Sequence, residues 1–199
     1  MGNDVWFRSL VWMDYRLAVL FTVLIPLVLL IWAFVQKADG IQRLLTIYWR
    51  VSSLLMITVY LMIAGFGVSF ISSLMARILI PISLWFWVDL NDEIQYASDE
   101  ALKFVVTSWR WATSIYCAFG ALLTIPFVIS CGFAQNAFAT PFCKVWQEAP
   151  LLYKNYFHPN ASNEGLGIVG IIGLILYILC LGYFVIFKLG KQGRTAAPQ

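Results

Sequence analysis

The sequence predicts an all-α, polytopic integral membrane protein. Three observations carry this. The chain is 61% hydrophobic and only 12% charged over 199 residues, against about 25% charged residues in ordinary soluble domains. Its mean hydropathy is +0.81, more apolar surface than one soluble core of this length can hide. The apolar residues fall into stretches of about twenty, enough at about 1.5 Å rise per residue to cross a hydrocarbon layer of about 30 Å.

The spans are read in order as residues 17–35, 47–68, 69–88, 109–130 and 166–187, within one transmembrane domain, 1–199. The first contains Pro26 and closes on Trp32 and Lys37, an aromatic-plus-basic interfacial ending. Met1 to Arg16, with Asp4, Arg8, Asp14 and Arg16, is placed outside it. The apolar run that follows exceeds the roughly 7–15 residues of a signal peptide core, so it is read as a retained span rather than a cleaved leader. The second span opens on Tyr48-Trp49-Arg50, the fourth on Trp109-Arg110-Trp111, and the fifth carries no charge before Lys188.

The stretch 69–88 has the length of a span but places Arg77 near its centre. Only Gly65-Phe66-Gly67 separates it from the preceding span, which implies a tight helical hairpin, and it ends on Trp85-Phe86-Trp87. With five spans, Lys37, Arg43, Arg50, Lys103, Arg110, Lys188, Lys191 and Arg194 share one side, while Arg8, Arg16, Lys144 and Lys154 share the other. The excess of basic residues marks the first side as inner and favours five spans over four, with the C-terminus cytoplasmic and the N-terminus opposite. The segments Thr46–Ser52 and Thr107–Thr113 look alike, which suits a shared anchoring device at that face.

The inner loop, 89–108, carries Asp89, Asp92, Glu93, Asp99 and Glu100 against Lys103. Leu90, Ile94, Ala97, Ala101 and Val105 fall on one helical face, predicting a surface helix that turns into the fourth span, with Ser98-Asp99-Glu100 as a helix start. The outer loop, 131–165, is rich in aromatics and broken by Pro141, Pro150 and Pro159. The tail after Lys188 is polar and expected to be loose.

Arg77 is the most informative residue. A mid-span arginine costs at least about 2.5 kcal/mol unless it finds water, a headgroup or a partner. No acid lies inside the spans as drawn, so a carboxylate partner is expected from another molecule; a kink at Pro81 that lets Arg77 snorkel is the alternative. Gly167, Gly170, Gly173, Tyr177 and Cys180 approximate one face of the last span, a small-residue stripe suited to close helix approach. Arg77, Gly170 and Gly173 are therefore candidate contacts, with an external partner or with another segment of the chain.

Cys131 and Cys143 share the outer side and can form a disulfide where that compartment is oxidising, a pairing the sequence leaves open. Cys117 and Cys180 read as packing residues. His158, the one histidine, is read as solvated or interfacial before ligating, and Asn160-Ala161-Ser162 matches a glycosylation sequon whose occurrence by chance is common. No zinc spacing, His-Glu-x-x-His, Gly-x-Ser-x-Gly or phosphate-binding glycine loop is present, so no enzyme activity and no metal or catalytic residues are expected. The net charge of +3 without a basic run argues against nucleic acid.

Three stretches carry a resemblance. They are Trp6–Trp12 with Asp14–Val19, Arg43–Arg50, and Ala76–Pro81 through Trp85–Asn91. Together they resemble a poorly characterised family of multi-spanning cyanobacterial membrane proteins, over about the first 110 residues. The resemblance implies a thylakoid location, the inner side cytoplasmic and the outer loop lumenal, and a role among auxiliary factors of photosystem II biogenesis. The resulting expectation is a non-enzymatic accessory protein that touches the bilayer and photosystem II assembly intermediates. The alternatives are a small homo-oligomeric transporter or channel with Arg77 lining an anion path, and a lipid or pigment binder with chlorophyll or carotenoid.

Overall fold

The computed structural model describes residues 5–97, 99–133, 137–189 and 193–196. Among them no strand occurs, and five helices are long and apolar enough to cross a membrane. These are α1 (Arg8–Val35), α2 (Asp39–Ile63), α3 (Val68–Trp85), α5 (Glu100–Gly132) and α7 (Asn163–Phe187). Between them lie the shorter helices α4 (Val88–Gln95) and α6 (Glu148–Phe157) and a single helical turn, Pro141–Lys144. α2 is central, packed on α1, α3, α4, α6 and α7, while α5 packs on α3 and α1.

The helix ends depart from the expected boundaries for identifiable reasons. α1 starts at Arg8, not Leu17, because the charges of its first two turns have protein partners and do not force the chain out of the helix. It ends at Lys37, the one described non-glycine residue at positive φ (54°). There Ala38 N–H donates to Ala33 O and Lys37 N–H to Phe34 O, the paired bonds of a Schellman cap. α2 ends at Ile63, short of the expected Val68, by the same device. Gly65 at φ 74° takes the left-handed position, Phe66 N–H donates to Leu61 O and Gly65 N–H to Met62 O. Glycine meets no Cβ penalty there, and the expected tight hairpin into α3 results.

The acidic loop forms two helices rather than one. α4 buries Leu90 and Ile94, as the pattern predicts. The chain then breaks and α5 restarts on Asp99, whose carboxylate accepts from Leu102 N–H at 3.0 Å. The break shifts the phase, so Leu102 and Val106 are buried while Ala101 and Val105 are exposed. Ser98 lies outside the described residues. The tail is not loose where it is described. Val88 N–H donates to Arg194 O, Arg194 Nε to Phe86 O, and Ala196 N–H to the Asp89 carboxylate.

A π-turn at Leu20–Leu24 interrupts α1 just before Pro26. Proline offers no N–H, so Thr22 O loses its α-helical donor and Phe21 O its π-helical one. Side chains of neighbouring helices fill both positions. Tyr48 O–H of α2 donates to Thr22 O at 2.8 Å and Trp109 Nε1 of α5 to Phe21 O at 2.8 Å. The tyrosine and tryptophan also meet edge-on, 5.1 Å between ring centres, so the two look-alike segments contact each other. Around them a core of Leu29, Leu44, Leu45, Leu84, Leu90 and Leu102 closes one end of the bundle.

The opposite end is capped by the 137–157 segment. Phe7, Val11, Met62, Phe70, Val145 and Trp146 form its core, and Gln147 Nε2 donates to Met62 O and Ile63 O, satisfying terminal carbonyls of α2 at 2.9 and 3.2 Å.

Since Pro26 creates the acceptor that Tyr48 fills, the two residues should be coupled. Tyr48→Phe is expected to cost about 1–3 kcal/mol, the penalty of a buried unsatisfied acceptor. It should cost clearly less in a Pro26→Ala background, where an N–H returns to Thr22 O. Thermal melts of the four proteins in one detergent give the coupling.

Candidate functional site: a buried charge cluster

Arg77 lies at the middle of α3, with a side chain only 8% exposed. Its partner is Asp14 of α1, 22% exposed, with Nη2 2.5 Å from Oδ2. This corrects the expectation that a carboxylate must come from another molecule: Asp14 belongs to a span, because α1 begins two turns earlier than its apolar run. Tyr116 of α5 completes the cluster. Its hydroxyl lies 2.9 Å from Asp14 Oδ1 and 3.1 Å from Asp14 O, and its ring lies 5.5 Å from the guanidinium. Three helices therefore meet at one ion pair.

Gly120, one turn beyond Tyr116, makes room for it. A Cβ at this position would lie 1.5 Å from Arg77 Nη1, so any larger residue displaces the guanidinium. Nη1 itself is buried with no hydrogen-bond partner, as are the Thr113 hydroxyl, one turn before Tyr116, and the Ser69 hydroxyl. Next to Asp14, Tyr15 points the other way. Its O–H lies 2.7 Å from Trp146 O and 3.0 Å from the Met62 sulfur, linking α1 to the cap.

Arg110, expected as an inner-face charge, is also buried, at 3% exposure. Nη2 donates to Leu84 O at 2.5 Å and to the Asn91 amide oxygen, and the guanidinium stacks 4.0 Å above Trp85. Its look-alike Arg50 is exposed. The two segments thus share a position but not an anchoring role: one arginine faces outward, the other holds α3, α4 and α5 together. Ser114 accepts from Trp85 Nε1 at 2.8 Å, fixing the ring under the guanidinium.

The glycine stripe of α7 faces α2 of the same chain. A Cβ at Gly170 would lie 3.1 Å from Leu61 N, one at Gly173 3.2 Å from Ile57 Cγ1, and one at Gly167 2.4 Å from Ala64 Cβ. Tyr177 continues the seat, donating to Val51 O at 3.2 Å, but Cys180 is exposed. The candidate contacts Gly170 and Gly173 are therefore internal. Cys131 and Cys143 are joined as a disulfide with Cα atoms 6.0 Å apart, tying the end of α5 to the cap; Cys117 is buried. His158 Nε2 lies 3.2 Å from the Tyr60 hydroxyl and its ring packs near Tyr153. Among the described residues no group of three or more His, Cys, Asp or Glu side chains converges as a metal site would require.

Sequence reasoning found Arg77 but missed Asp14, Tyr116 and Gly120. A signal existed. Val11, Thr22, Pro26, Leu29 and Ala33 are the buried residues of α1. Asp14 lies on the same face, one turn below Val11.

The fold and this closed polar interior define a polytopic α-helical integral membrane protein. The chain belongs to a protein family of unknown function, DUF3177, whose model matches residues 8–197. No curated protein and no solved structure matches it.

Breaking the ion pair from either side leaves a buried charge uncompensated. Asp14→Asn and Arg77→Met are each expected to cost about 3–5 kcal/mol, and the Asp14→Leu/Arg77→Met double substitution to recover most of that. Gly120→Ala should resemble the single variants. Melting temperatures in detergent check the ranking.

Proposed function

We propose that this protein is a non-enzymatic membrane accessory factor that assists the assembly or stability of a larger membrane complex. The carrying observation is that its two buried arginines are spent on its own architecture. Arg77 is closed by Asp14 and Tyr116, and Arg110 by Asn91, Leu84 O and Trp85. An arginine held this way is unsuited to line an anion path; the transporter reading requires the Asp14–Arg77 pair to separate. A bundle with a long apolar helix at its edge suits lateral packing instead. Ile168, Ile172, Ile175, Leu179 and Ile186 of α7 all face outward.

The resemblance of Trp6–Val19, Arg43–Arg50 and Ala76–Asn91 to thylakoid-associated proteins directs this reading to photosystem II biogenesis in cyanobacteria. The basic residues direct the C-terminus to the cytoplasmic side. Mildly solubilised membranes carrying the tagged protein test the proposal on a native gel. Co-migration with incomplete photosystem II assemblies is expected. A free homo-oligomer that conducts anions in liposomes, and stops doing so as Arg77→Ala, overturns it.

A further inference from the structure

Asp14 and Arg16 are two residues apart on α1 and face in different directions. Asp14 turns into the bundle, whereas Arg16 is exposed. Among the described residues no carboxylate lies within ion-pair range of Arg16. The residue lies eight positions, about 12 Å, along the helix from Arg8, at the head of the apolar run 17–35. A cation facing outward at the head of an apolar span is best met by an anion at the membrane surface.

Arg16 lies at one end of a shallow, open recess of about 650 Å³ whose other lining residues, Val5, Trp6, Arg8, Ser9, Trp12 and Met13, all belong to the same N-terminal stretch. At the rim, Glu148 accepts from both Arg8 Nε and Trp12 Nε1 at 2.9 Å. That acid is therefore occupied, and Trp12 is fixed as one wall. Trp6, 84% exposed, stands at the other end, a residue type that favours the membrane–water boundary.

Below Arg16 the same face continues as Leu20, Leu24, Val28 and Ile31, all exposed. A polar, cationic cleft thus opens at the head of an apolar track along one helix. That arrangement matches an amphiphile with a negative head and a hydrocarbon tail better than it matches a soluble anion, which would have no use for the track.

We infer that the cleft formed by Arg16, Trp12, Ser9 and Arg8 seats the anionic headgroup of a membrane lipid, with an acyl chain lying along Leu20, Leu24 and Val28. The guanidinium of Arg16 meets the phosphate or sulfonate oxygens in a paired geometry, and Ser9 and the rim supply the remaining contacts. The site lies on the lipid side of α1, away from the Asp14–Arg77 pair, so its loss leaves the fold intact.

The test uses the full-length protein in phosphatidylcholine nanodiscs doped with phosphatidylglycerol, with retained lipids counted by native mass spectrometry. The wild type should retain phosphatidylglycerol preferentially. Arg16→Gln should lower that preference about fivefold, the worth of one basic residue at an anionic surface. Arg16→Lys should keep part of it, and Arg50→Gln, another exposed cation, should keep all of it. Arg16→Gln should melt with the wild type in neutral detergent. The inference is overturned if Arg16→Gln retains the lipid as well as the wild type, if Arg50→Gln loses it equally, or if Arg16→Gln melts lower in neutral detergent. It is equally overturned if inorganic phosphate alone stabilises the wild type as much as phosphatidylglycerol does, which would mark a free-anion site instead.

Discussion

The Asp14–Arg77 ion pair is the constraint around which the bundle is arranged. Two opposite charges inside a hydrocarbon layer have no water to fall back on, so each tolerates its position only while the other is in place. This fixes more than a contact. It fixes the rotation of α1 about its axis, the depth of α3 relative to α1, and the approach of α5, which must offer a glycine at 120 beneath the guanidinium and a tyrosine at 116 beside the carboxylate. Apolar packing alone tolerates helix slippage at modest cost. An ion pair with a shaped seat does not.

The same economy governs the rest of the interior. Pro26 and the adjoining π-turn strip α1 of two internal hydrogen bonds, and α2 and α5 supply the missing donors through Tyr48 and Trp109. In a soluble protein, water could satisfy such carbonyls. Here each one becomes an attachment point for another helix, since an unsatisfied backbone group in lipid costs several kcal/mol. Arg110 repeats the scheme at the other end of α3, with a helix-terminal carbonyl, an amide and a tryptophan face replacing a carboxylate. Polar chemistry thus specifies which helix meets which, and the apolar faces left over point outward along α1 and α7.

What the sequence disclosed and what it hid separate along physical lines. Hydrophobic run length marked four spans and the distribution of basic residues favoured the fifth, while Gly65 marked the hairpin and the spacing of Gly167, Gly170 and Gly173 marked a seat for another helix. The position of Asp14 was hidden because charges near an N-terminus were assigned by chain position, whereas their fate depends on which face of the helix they occupy. In the acidic loop the helix start at Ser98-Asp99-Glu100 was legible, but the apolar period runs unbroken through residues 97–101 and hid the change of face. Only the Asp99 cap reveals that the helix restarts there with a different phase. Arg110 was counted among solvated charges because its neighbours, Trp85 and Asn91, are remote in sequence and become a site only when α3, α4 and α5 converge.

Asp14 and Arg16 show how little the charge count of a span decides. At about 100° per residue they point roughly 160° apart, so one faces the bundle and the other faces outward. The first is satisfied by helices of this chain. The second finds no acid among the described residues and faces outward at the head of the apolar run. A helix carrying both is therefore specified twice, once toward Arg77 and once toward the bilayer. Its register in the bundle and its depth in the membrane cannot be changed independently. The most hydropathic of the described spans, α1 at a mean hydropathy of 2.8, is also the one that holds this half-buried acid. Apolar length carries it across the bilayer, and two charges decide where it stops.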